Sequence, residues 1–260
     1  CFKKGEGNIM AYTGSKYIED DFLNIARGMV KGTSSNHKFG AVPAMSQSQT
    51  GTVWDVNDTL YPWSALDTPA VVNVERNAVE DEGHTVTVQG LDSNYNFQSE
   101  DIVISGTDTL GTKLFRRVNR AFVSANGSTN TGNIDIEAGA AGGTTVARIN
   151  ADKGQTLMAV YTVPANYNAY LMQETATCQD GADASGNMFI RYFGQDTFRI
   201  GHSFEVAGDG GQYFYKFAVP IRIPEKSDID IRASVRSNNA RITAAFDVIL
   251  IEKTQDRAAR

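Results

Sequence analysis

The stretch TVTVQGLDSNYNFQSEDIVIS, residues 85–105, decides the fold class. Its centre, Asp92-Ser93-Asn94-Tyr95-Asn96, has the Asp-x-Asn-x-Asn rhythm of a calcium loop. An EF-hand loop starting at Asp92 requires glycine at its sixth position and a bidentate glutamate at its twelfth. Phe97 and Val103 stand there instead. The flanks are equally wrong, because an EF-hand loop joins two helices. Val86 and Val88 alternate with Thr85, Thr87 and Gln89, the two-residue period of a half-buried strand. Gly90, Asp92, Ser93 and Asn94 are turn formers. The stretch therefore predicts a hairpin, with no metal.

The same reading extends outward. Further strands are predicted at 69–76, 84–90, 100–105, 114–124, 132–138 and 143–149. A second series follows at 155–163, 167–177, 187–193, 197–206, 212–219, 228–235 and 241–251. The separators, such as SANGSTNTG and AGAAGG, carry turn chemistry. Strands at this spacing, with no crossover helices between them, form antiparallel sheets. The expected fold class is all-β: two antiparallel β-sandwich regions, Ig-like or jelly-roll-like, preceded by an N-terminal helix and an extended arm. The expected divisions are 1–52 (leader, amphipathic helix and arm), 53–150 (first β-sandwich) and 151–260 (second, jelly-roll-like). NADKG, residues 150–154, marks the break between the last two.

Residues 16–30, KYIEDDFLNIARGMV, give the one convincing helix. Ile18, Phe22, Ile25 and Met29 fall on one face, which reads as a partner-docking surface. Its polar face lacks the basic residues of a membrane-surface helix. Residues 33–52 show neither period and read as an arm lying on a partner subunit, with His37, Phe39 and Val42 as its contact residues. Met10 opens a natural start, MAYTGSKYIEDDF. Residues 1–9 read either as translated upstream sequence or as a flexible leader, and the intact mass of the native protein separates the two.

Composition removes several function classes. The net charge of -6 argues against a general binder of nucleic acid or anionic membranes. No run approaches the ~18 apolar residues of a membrane-spanning helix. The two cysteines, Cys1 and Cys178, allow no disulfide framework or zinc spacing, and Cys178 reads as a small buried thiol. His37, His84 and His202 form no HExxH or HxH motif. There is no G-x-S-x-G elbow, and GAAGGTT (139–145) lacks the lysine of a phosphate loop. Carboxylate pairs occur at Asp180/Asp183 and Asp228/Asp230 and in the acidic run 80–82; such acids usually serve turns and solvation. QYFYKFAV, 212–219, reads mostly as core packing, with sugar binding by an exposed tyrosine face as the other reading. The expectation is a protein without enzymatic activity, cofactor or metal.

Several runs carry a resemblance: ARGMVKGTSSNHKFGAVP (26–43), GTVWDVNDTLYPWSAL (51–66), LFRRVNRAFVSANGSTNTGNI (114–134), GQTLMAVYTVPANYNAYL (154–171) and IPEKSDIDIRA (223–233). Together with the opening stretch, they resemble virion structural proteins of tailed bacteriophages, marine ones especially, over residues 17–252. The resemblance implies a non-enzymatic particle component located in the virion and assembled in the bacterial cytoplasm. The expected role is capsid decoration or cement: a homo-oligomer, with a trimer favoured, bridging major capsid protein or other virion subunits. A tail, neck or fibre component, with a glycan receptor in one version, is the alternative.

Overall fold

A computed structural model describes residues 21–125, 129–179, 182–208 and 210–256. The first element is a single short helix, α1 (Asp21–Ala26). The strands that follow are β1 (Thr33–Met45), β2 (Thr50–Thr52), β3 (Val72–Arg76), β4 (Thr85–Leu91), β5 (Phe97–Val103), β6 (Asp108–Leu110), β7 (Arg117–Ala125) and β8 (Ile134–Ala138). Then come β9 (Thr144–Ile149), β10 (Val160–Thr162), β11 (Tyr167–Cys178), β12 (Ala184–Arg191), β13 (Arg199–Val206), β14 (Gln212–Ile223), β15 (Asp228–Val235) and β16 (Ala240–Glu252). The chain is all-β, and its strand ladders are antiparallel.

Four sheets form. Their orders are β1-β16-β11-β14, β10-β15-β12-β13 with β2 added to β15, β6-β3-β8-β9, and β5-β4-β7. They share two hydrophobic cores. The first two sheets fill one core with Val42, Leu171, Met188, Ile231 and Phe246, among others. The other two fill the second with Val74, Val88, Phe115, Ile136 and Ile149. The cause is visible in the strands. In β16, Ala240, Ile242, Ala244, Phe246, Val248 and Leu250 are buried, and every intervening residue is more exposed. Such strict alternation buries one face of a strand and leaves the other to solvent.

The second core is built from an insertion. Val53 belongs to the first core and Trp54 to the second; Met158 belongs to the second and Ala159 to the first. The two crossings are adjacent in space, since the Ala159 amide donates to the Val53 carbonyl at 2.9 Å and Trp54 bridges Met158. Residues 54–158 thus leave the larger unit and return to it through one doorway.

This arrangement corrects the arm. Residues 33–45 are β1, paired with β16 from Thr33↔Ile251 to Met45↔Ala240. Val42 is fully buried in the chain's own core, Phe39 is half-buried and His37 is exposed. Of the predicted helix, residues 16–20 lie outside the described residues. Among the described residues it is six residues long, and its buried residue is Asn24. Phe22 is exposed, while Ile25 and Met29 are half-buried. Phe22 and Ile25 line a cavity together with residues of β1, β11, β14 and β16. Ile18, residues 1–9, Cys1 and Asp180 lie outside the described residues.

Candidate functional site

The DSNYN turn is a clasp between the insertion and the larger unit. Asp92 Oδ1 accepts the backbone N–H of Asn94 at 2.8 Å and of Asn96 at 2.9 Å, which closes the turn. Burial pushes the Asp92 carboxyl up, but these hydrogen bonds prevail and hold it below its usual value. Tyr95 takes a left-handed backbone (φ 65°). From there its carbonyl accepts the Ala165 amide at 2.8 Å, and its ring meets Phe193 edge-on at 5.7 Å. Arg116 and Lys226 lie over the same ring, at 5.2 and 5.7 Å. Phe97 continues the contact onto Tyr167. Among the described residues no cluster of three His, Cys, Asp or Glu side chains is placed to hold a metal ion.

A buried ionic joint lies between the two units. β15 supplies Asp228 and Asp230, both almost fully buried. Arg117, on β7 of the insertion, reaches Asp228 from Nε at 3.2 Å, and Arg191 binds the same carboxylate at 2.6 Å. Thr162 donates its hydroxyl to Asp228 at 2.5 Å. Asp230 receives Trp63 Nε1 at 3.0 Å, Arg232 Nε at 2.8 Å and the Thr52 hydroxyl at 2.9 Å. Arg117 and Arg191 flank the Trp63 ring, each at 5.6 Å. Burial works against the charge of Arg117, and Asp228 more than restores it. Each carboxylate is thus matched by cations and neutral donors, the condition for keeping charge inside a fold. The pair at 228 and 230 therefore acts as a structural joint.

The tyrosines of β14 gather around a histidine, with Tyr213 half-buried and Tyr215 exposed. Tyr213, Tyr215 and Phe217 ring His202, with Tyr215 at 4.6 Å and Phe217 at 4.9 Å. His202 Nδ1 pairs with Glu174 Oε2 at 2.8 Å, and burial raises the Glu174 carboxyl despite that partner. The large apolar side chains that β14 shows to solvent are Phe214, Tyr215 and Val219. Cys178 is a buried thiol. The predicted contact residues disperse: Val42 enters the core, His37 pairs with Asp247, and Phe39 turns toward a cleft beside the insertion. Sequence reasoning did not find that cleft, because its walls come from β1, β4, β5 and β7, which no local pattern joins.

No protein-family model and no curated protein matches the chain. Among solved structures, the infectious bursal disease virus VP2 subviral particle aligns over 88% of this chain and 74% of that one, at 9% identity and a TM-score of 0.24. Particles of its D431N mutant VP2 align over 94% and 73%, at 10% identity and a TM-score of 0.24. At that level of overlap these likenesses carry no argument about this chain.

Proposed function

We propose that this chain is a non-enzymatic structural subunit of a virus particle, in its finer form a decoration or cement protein bridging capsid subunits as a homotrimer. The observation that carries the reading is strand order. Count only the eight long-range strands of the larger unit: β1, β10, β11, β12, β13, β14, β15 and β16. Their sheets then read first-eighth-third-sixth and second-seventh-fourth-fifth. That is the double Greek key of a jelly roll, an architecture shared by viral coat and lectin domains. The resemblance of residues 17–252 to phage virion proteins selects the virion from these. No helix among the described residues is long and apolar enough to cross a membrane.

Because β1 lies in the chain's own sheet, a neighbour is gripped by other surfaces. β14 is the outer strand of its sheet and exposes Phe214 and Val219. Pro220 blocks continuous pairing along that edge, so a neighbour meets side chains rather than a backbone ladder. Quantitative mass spectrometry of purified particles tests the role. Decoration requires copies in step with the major shell subunit, and binding to preassembled empty shells. A minor component confined to tail fractions would replace this reading with a tail or neck role.

A further inference from the structure

The cleft between β1 and the insertion has the chemistry of a ligand site. It encloses about 720 Å³, within the range of small-molecule pockets. One wall is Asn36 to Phe39 of β1; the other carries Gln89, Gln98, Arg120 and Gln155. The chain has an acidic surplus, 30 Asp and Glu against 24 Lys and Arg, yet among the described residues no carboxylate lines this cleft. Two cations do. Arg120 is exposed; one Nη2 bond goes to Gln155 Oε1 at 2.8 Å, and it has no carboxylate partner among the described residues. Lys38 is 7% exposed, with its ammonium donated to the Asn119 carbonyl. His37 stands at the rim, already paired with Asp247.

We infer that this cleft binds an acidic saccharide, a sugar ring carrying a carboxylate. Arg120 offers the planar fork that a carboxylate prefers. The side-chain amides of Asn36, Gln89 and Gln98 both donate and accept, as sugar hydroxyls require. Phe39 and Phe97 supply flat apolar faces for the ring. A bare phosphate would use the cations but would leave the amides and rings idle. Lys38 adds a second signature. Burial, and then Arg120, pushes it down to about 7, so it is poised to lose its proton near neutrality. A carboxylate bound beside it restores the charged form. Affinity therefore falls as pH rises above about 7.

The site is independent of where the protein sits in a particle, so its failure would leave the virion reading untouched. The test is calorimetric titration of the full chain with a short glucuronic acid oligomer, a matched glucose oligomer and inorganic phosphate. The acidic oligomer is expected to bind about tenfold tighter than the neutral one, the worth of one charge-assisted hydrogen bond. Arg120→Gln removes that preference, and Gln98→Ala weakens both oligomers. Arg120 is exposed, so its replacement leaves the fold intact, which circular dichroism checks. Equal binding of the two oligomers, phosphate matching the acidic oligomer, binding unaffected by Arg120→Gln, or no binding at all would each overturn the site.

Discussion

At the scale of single residues, two acids show how the fold treats charge. Asp92 is satisfied by the turn it closes, and the calcium-like spacing of its neighbours has a purely local cause. Asp55 is different. It is 3% exposed; its Oδ2 accepts the Leu157 amide at 3.1 Å, while Oδ1 is buried with no partner. Burial pushes its carboxyl from 3.8 up to about 7, against the pull of that amide. The sign follows directly. Between 3.8 and about 7 the folded state keeps a proton that the unfolded state has released, so stability falls as pH rises through that window. Asp55→Asn keeps the acceptor for Leu157 and removes the charge. It should stabilise the protein at pH 8 by roughly 1–3 kcal/mol, because it removes the charge that burial disfavours, each pKa unit being worth about 1.4 kcal/mol. Near pH 4, where the carboxyl is protonated in the folded state, the gain should shrink. Thermal melts at the two pH values check this, and an unchanged or lower midpoint at pH 8 would refute it.

At the scale of elements, β1 is the informative case. Strands such as β4, β15 and β16 were legible because their apolar residues alternate. β1 was not, because Asn36 and Lys38 face a polar cleft rather than an apolar core. Pro43 disguised it further; it falls at a register shift between Val42 and Met45, where the ladder is already broken. β6, three residues long, is too short to show any period. The cleft and the ionic joint were illegible for a related reason: Arg117 and Asp228 are 111 residues apart, and only the closed fold unites them. Gly40 tests the placement of β1. A methyl group there would meet the Val53 carbonyl oxygen at 2.0 Å and the Ala159 nitrogen at 2.5 Å, both backbone atoms at the doorway of the insertion. Gly40→Ala should therefore cost roughly 1–3 kcal/mol, as overpacking does. An arm free of its own chain would tolerate the change. Urea denaturation of the isolated protein decides, and an unshifted midpoint would return β1 to the role of an arm.

At the scale of the whole molecule, the question is whether two cores behave as one body. Each has its own sheets; the chain leaves the first core at 53–54 and returns at 158–159, with Val160 of β10 still reaching into the second core. Covalent connection alone would let the insertion swing. The contacts that oppose this include the paired doorway strands, the Tyr95 clasp and the Asp228 joint. The joint is the most demanding, because it is buried and ionic. Removing one side of a buried pair strands the other, at a cost of about 3–5 kcal/mol. Asp228→Asn does so for Arg191 and leaves Arg117 only the exposed Asp67, while preserving shape. Part of that cost falls on the Arg117 contact between the units. Calorimetry should therefore show one cooperative transition in the native protein and two in the variant, the second near the native midpoint. A single transition shifted downward would mean that the cores depend on each other through their packing. A single unshifted one would mean that Asp228 joins nothing. A shell subunit has reason to keep the joint closed, since a projecting insertion that is rigid loses less conformational freedom when neighbours dock against it.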